Sequence, residues 1–116
     1  GNVIVVNSWA TWSPQSRDQL VALSRMASDY NNQPFTFIAI NRSEPDVTAQ
    51  AYLRSMDLHD SLEIVLDNGD AFYQNIEAYA MPMTIVYDTD GQIVYEVNGV
   101  FTNEQLRTAI DSELNL

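Results

Sequence analysis

The chain contains no cysteine and no lysine. Without cysteine there are no disulfides, no thiolate metal ligands and no thiol catalysis. Without lysine there is no Schiff-base nucleophile and no phosphate-cradling P-loop. No apolar run approaches the ~20 residues of a membrane span, and no cationic start followed by an apolar stretch marks a signal peptide. Internal repeats, low-complexity tracts and linkers are missing as well. Basic charge is scarce: 16 acids face 5 bases, all arginines, for a formal charge of −11. Such a surface repels phosphate and carries no basic stripe, which disfavours nucleic acid as a partner.

What is present suits one folded domain. The 116 residues, 46% of them apolar, can bury one sizeable core but not two. Residues 1–116 are read as a single domain. Gly1-Asn2 opens almost directly into a strand, so the domain is expected to be excised from a longer precursor.

Val3-Ile4-Val5-Val6 is a nearly continuous apolar run, suited to a central strand covered on both faces. Ser13 fits an N-cap whose hydroxyl accepts from first-turn amides, and Pro14 fits the first helical position. Leu20, Leu23, Met26 or Ala27, and Tyr30 then recur at helical spacing up to Asn31-Asn32. Phe35 to Ile40 reads as a second buried strand, so the first two strands form a right-handed parallel crossover. A second helix opens at Ser43-Glu44-Pro45-Asp46, with Ala49, Tyr52, Leu53 and Met56 on one stripe. Leu62 to Leu66 is a strand ending in the Asp67-Asn68-Gly69-Asp70 turn, and a short helix is expected around Ala71 to Ile76. Two further strands flank Asp88-Thr89-Asp90-Gly91, a hairpin signal. Thr102 and Gln105 form a capping box for the last helix, and Phe101 can staple against Leu106.

Three pieces carry a resemblance to a known family: Val5-Val6-Asn7-Ser8-Trp9-Ala10-Thr11-Trp12-Ser13-Pro14-Gln15-Ser16-Arg17, then Met81-Pro82-Met83-Thr84, then Tyr87 to Val94. With the order β-α-β, an α-β-α insertion and β-β-α, the chain resembles the thioredoxin-like superfamily, in particular the TlpA/ResA-type thiol–disulfide oxidoreductases. The resemblance implies an α/β fold with a central mixed sheet and helices on both faces. It also implies that Ser13 and Ser16 stand where those enzymes carry their two cysteines.

At Ser13 a cysteine would sit at a helix N-terminus, where unpaired amides and the helix dipole stabilise a thiolate. At Ser16, one turn on, a second would resolve the mixed disulfide. The resemblance makes Ser13 and Ser16 the catalytic positions and Trp12, Pro14, Met81 and Pro82 the substrate-binding ones. Pro82 matches the family's cis-proline, beside which an extended segment pairs by strand addition. A serine hydroxyl is not appreciably ionised near neutral pH and does not exchange with disulfides, so the chain is expected to be redox-inactive. Two origins fit the paired serines: replacement of both cysteines in a redox-active parent, or natural loss of the chemistry with the fold kept for binding or structure. Asn7 occupies the strand position where thioredoxin itself has a buried acid, and TlpA-like relatives often carry Asn there too.

The expected partner is an extended protein or peptide segment. No cofactor, metal, nucleic acid or direct membrane contact is expected, and the resemblance points to the periplasm or envelope. Trp9 is expected in the core and Trp12 partly exposed beside the site. Other motifs read as structure first. A Ser-His-Asp hydrolase would require His59 and Asp60 to reach Ser13, and both lie in a loop-like stretch. Asp88 to Gly91 echoes a calcium loop but lacks its downstream Glu. Asn41-Arg42-Ser43 meets the glycosylation sequon at a strand end and is discounted.

Overall fold

A computed structural model describes residues 2–58, 61–67, 69–75 and 81–114. Nine elements follow in chain order: β1 (Val3–Trp9), α1 (Pro14–Asp29), β2 (Phe35–Arg42), α2 (Asp46–Arg54), β3 (Leu62–Asp67), α3 (Ala71–Asn75), β4 (Met83–Tyr87), β5 (Ile93–Asn98) and α4 (Asn103–Leu114). The five strands form one mixed sheet in the order β3-β2-β1-β4-β5. The central strand β1 pairs parallel with β2, from Val3↔Phe35 to Trp9↔Asn41, and antiparallel with β4. That central position explains why its sequence is apolar on both faces.

Strand alternation divides the interior. Val3, Val5 and Trp9 face one side with Phe37, Ala39 and Val86, where they pack against Leu20 and Leu23 of α1, Ala49 of α2, and Leu106 and Ile110 of α4. Met83 and Ile85 face the other side and meet Tyr73 of α3. Burying side chains such as Leu20, Leu106 and Ile110 from water stabilises the fold by about 1.5–3 kcal/mol each. Among the described residues, no helix is long and apolar enough to cross a membrane.

Local chemistry sets the element ends. The Asp88 side chain accepts from the Asp90 and Gln92 amides, and Gly91 takes φ +83, closing the β4–β5 hairpin. The Thr102 hydroxyl accepts the Gln105 amide at 3.2 Å, the forward half of the expected capping box. Ser13 departs from expectation. It is the N-cap of α1 by position, yet its hydroxyl makes no cap bond. The Ser16 amide it would have received goes instead to the Ser13 carbonyl, at 3.0 Å. The expected short helix is present over Ala71–Asn75, and Ile76 lies outside the described residues.

Candidate functional site

Parallel pairing of β1 with β2 brings the loops that follow them side by side at the carboxyl end of the sheet, the usual place for a site in α/β folds. The register ends on Trp9↔Asn41, so the Ala10–Ser13 turn and the Arg42–Pro45 turn are neighbours. Glu44 joins them. Its carboxylate accepts the Thr11 amide at 2.8 Å, the Thr11 hydroxyl, and the Asn41 side-chain amide at 2.7 Å. Burial opposes the charge on Glu44, but the Thr11 and Asn41 hydrogen bonds outweigh it and hold the carboxyl below its ordinary range. Asn41 is fully buried, and its side-chain amide donates to Glu44.

Above this brace lies a cleft of about 370 Å³, lined by Trp12, Ser13, Pro14 and Gln15 at the start of α1, Arg42 at the end of β2, Tyr73 of α3, and Met81. Trp12 is 61% exposed, whereas Trp9 is fully buried and stacks on Tyr52 with ring centroids 5.7 Å apart. The two serines are placed differently. Ser13 lines the cleft, while Ser16 is fully buried beneath it and accepts the Ala10 amide through its hydroxyl at 3.3 Å. The Met81–Pro82 bond is cis. Pro82 is buried behind Met81, and its carbonyl accepts the Gly99 amide at 2.7 Å, anchoring the segment to the end of β5. Among the described residues, Met81 makes no backbone hydrogen bond.

Arg42, Asp70 and Tyr73 carry no functional signal in the sequence, yet they form one wall of the cleft. The Arg42 guanidinium donates to both carboxylate oxygens of Asp70 and lies 3.4 Å from the Tyr73 ring centroid. Asp70 hydrogen bonding keeps Arg42 firmly protonated against the cost of its burial. Burial pushes the Tyr73 phenol up, with the Arg42 charge opposing. The only local hint was the Asp67–Asp70 turn, in which Asp70 adopts φ +59.

Asn7 donates to the Thr84 hydroxyl at 2.9 Å within the sheet. Three buried polar atoms among the described residues lack a partner: Asn7 Oδ1, Ser8 Oγ and Trp9 Nε1. All three belong to the last residues of β1, immediately before the site. His59 and Asp60 lie outside the described residues.

The sheet order, the helix starting soon after the central strand and the cis Met81–Pro82 bond, with Met81 lining the same cleft as that start, define a thioredoxin-like domain. The Redoxin family model matches residues 1–112. The chain belongs to that family, as a TlpA/ResA-type thioredoxin-like domain of the thiol–disulfide oxidoreductases. It is 23% identical over 106 residues to the thiol-disulfide oxidoreductase ResA of Bacillus thuringiensis subsp. konkukian, covering 91% of this chain and 60% of that protein. Identity to ResA of Halalkalibacterium halodurans is 28% over 109 residues, covering 91% and 59%. The chain thus spans about three-fifths of the length of these curated relatives. In fold it is similar to a Chlorobium tepidum protein described as thiol:disulfide interchange protein DsbE, with a TM-score of 0.91 at 20% identity over 98% of this chain and 81% of that one. StoA from Bacillus subtilis gives a TM-score of 0.82 at 17% identity, over 94% and 82%.

Proposed function

We propose that this domain is a redox-silent member of its family that holds an extended polypeptide segment at the Trp12–Met81 surface without exchanging disulfides. The observation that carries this reading is the exposed Trp12 ring sharing a cleft with Met81, whose backbone groups are unpaired among the described residues, beside a cis-proline. Such a backbone is suited to strand addition, and an exposed aromatic adds contact area for the incoming chain. The hydroxyls of Ser13 and Ser16 cannot carry electrons, so binding here ends without a covalent step. The charge of −11 fits a protein or peptide partner better than nucleic acid. By analogy with the oxidoreductases it resembles, the domain works outside the cytoplasm, in the envelope.

A second reading is favoured by how completely the platform is kept: the two serines are the isosteric counterparts of two cysteines. In a cysteine-bearing parent, position 13 would attack a partner disulfide and position 16 would resolve it. The source-genome codons at positions 13 and 16 decide between replacement and natural loss. The chemistry is tested with the Ser13→Cys, Ser16→Cys double variant in an insulin-reduction assay. Reductase activity is expected, against none for the parent chain. A folded double variant that stays inert would mean the platform has lost more than its sulfurs. For binding, the amide and indole signals of Trp12 and Met81 are followed while unfolded polypeptide is added. Saturable shifts support docking, and none at millimolar polypeptide refutes it.

A further inference from the structure

The cleft holds chemistry that docking by backbone alone does not use. Ser13 is only 3% exposed and lines the cleft, yet its hydroxyl has no hydrogen-bond partner among the described residues. It sits at the start of a 16-residue helix with no acid in its first turn, so the positive end of that helix is not offset from within. On the facing wall, Arg42 spends Nε and Nη2 on Asp70 and one face on Tyr73. Its Nη1 has no partner among the described residues, and the side chain is 22% exposed. The hydroxyl of a largely buried serine and an arginine with an unspent guanidinium nitrogen thus line one pocket of a strongly acidic protein.

We propose that this cleft is an acid-reading subsite. It takes a carboxylate side chain, Asp or Glu, from the segment docked at Met81, through the Ser13 hydroxyl and the free edge of Arg42. The inference rests on the docking reading above and adds a choice of partner to it. Arg42 is pre-positioned: its bidentate contact with Asp70 and its stacking on Tyr73 hold it in place before any ligand arrives. Asp70 reduces its net charge, so discrimination comes from directed donors rather than from long-range field. Glu44, the nearest other acid on that turn, directs its carboxylate at Thr11 and Asn41 and does not line the cleft. The repulsion of the remaining surface acids is largely screened beyond about 8 Å at physiological salt, while the subsite contacts act at hydrogen-bond range.

The test uses the whole chain and three ten-residue Ala/Thr-rich peptides that differ only at a central Glu, Gln or Lys. Affinities are measured by calorimetry at physiological ionic strength, with sodium acetate as a fourth ligand. The Glu peptide is expected to bind roughly tenfold more tightly than the Gln peptide, the margin set by a charge-assisted hydrogen bond. Acetate alone should bind far more weakly than the Glu peptide. The Glu-over-Gln ratio should vanish in Arg42→Met and shrink in Ser13→Ala, whatever either change does to the affinity that the two peptides share. Because Arg42→Met strands Asp70, the Arg42→Met, Asp70→Asn pair is measured beside it and should behave alike. Equal Glu and Gln affinities, a Lys preference, or a Glu preference that survives both Arg42 variants would overturn the subsite and leave docking standing. Binding of none of the peptides would overturn both, and acetate binding as tightly as the Glu peptide would overturn the peptide subsite in favour of a small-anion site.

Discussion

The two ends of α1 are held in opposite ways. At its rear, the protein satisfies its own charges. Arg107 of α4 pairs with Asp29 at 2.6 Å and lies 5.7 Å from the Tyr30 ring centroid, while the Tyr30 hydroxyl donates to Asp111 at 2.6 Å. No basic residue occupies the last turn of α1, so α4 supplies the cation that favours a helix C-terminus. At the front, the turn is braced from behind by Glu44, but the helix start itself is left uncapped by any side chain. One end is closed by tertiary contacts and the other is rigid yet open. A binding site needs the second arrangement: fixed geometry with unspent donors.

That contrast can be broken from either side. The largest effect is expected at the front, where Glu44→Ala removes the acceptor of the Thr11 amide, the Thr11 hydroxyl and the Asn41 amide together. Leaving those groups without their acceptor costs about 1–3 kcal/mol, read by urea denaturation. Because the folded Glu44 carboxyl lies below its ordinary range, its contribution is fully present above that range and fades as pH falls through the folded value. Glu44→Gln should therefore flatten the acid limb of the stability profile. A variant as stable as the parent, with an unchanged acid limb, would show that the brace is not needed.

The rear end responds to alkali. Burial first, then Asp111, raises the Tyr30 phenol to about 12. A folded value above the unfolded one means the stabilisation is complete below about pH 10 and is lost as pH rises toward 12. In Tyr30→Phe, absorbance at 295 nm should lose a tyrosine that titrates near pH 12, and stability near neutral pH should fall by about 1 kcal/mol. The smallest effect is expected for Arg107→Ala. Its pair with Asp29 is half in solvent, with side chains 35% and 56% exposed, so the loss should stay within about 1 kcal/mol and shrink with salt. A larger loss at Arg107 than at Glu44 would invert the comparison.

Most of the frame was legible from local pattern. The Val3–Val6 run announced a central strand, Pro14 the start of α1, and Asp88–Gly91 the hairpin, because each depends on neighbours a few residues apart. Trp9 and Trp12 were separable as well: one continues the strand and the other lies beyond its end. What escaped the sequence were the side-chain contacts that brace the site across distance. Glu44 reaches Thr11 across 33 residues, and Arg42 reaches Asp70 across 28. Neither pair has a spacing rule, since each exists only because parallel strands end in register. The cap at Ser13 failed for a local reason invisible in composition: the main-chain carbonyl took the amide the hydroxyl was expected to receive.

The sequence by itself determined the family scaffold and the absence of thiol chemistry, because apolar periodicity, turn residues and the lack of sulfur are properties of the chain. Only the tertiary structure decided that Ser16 is spent on the Ala10 amide while Ser13 stays open, and that Arg42 meets it across the cleft. Those outcomes depend on which donors and acceptors the sheet register brings within hydrogen-bond range, and register is a property of the folded sheet as a whole.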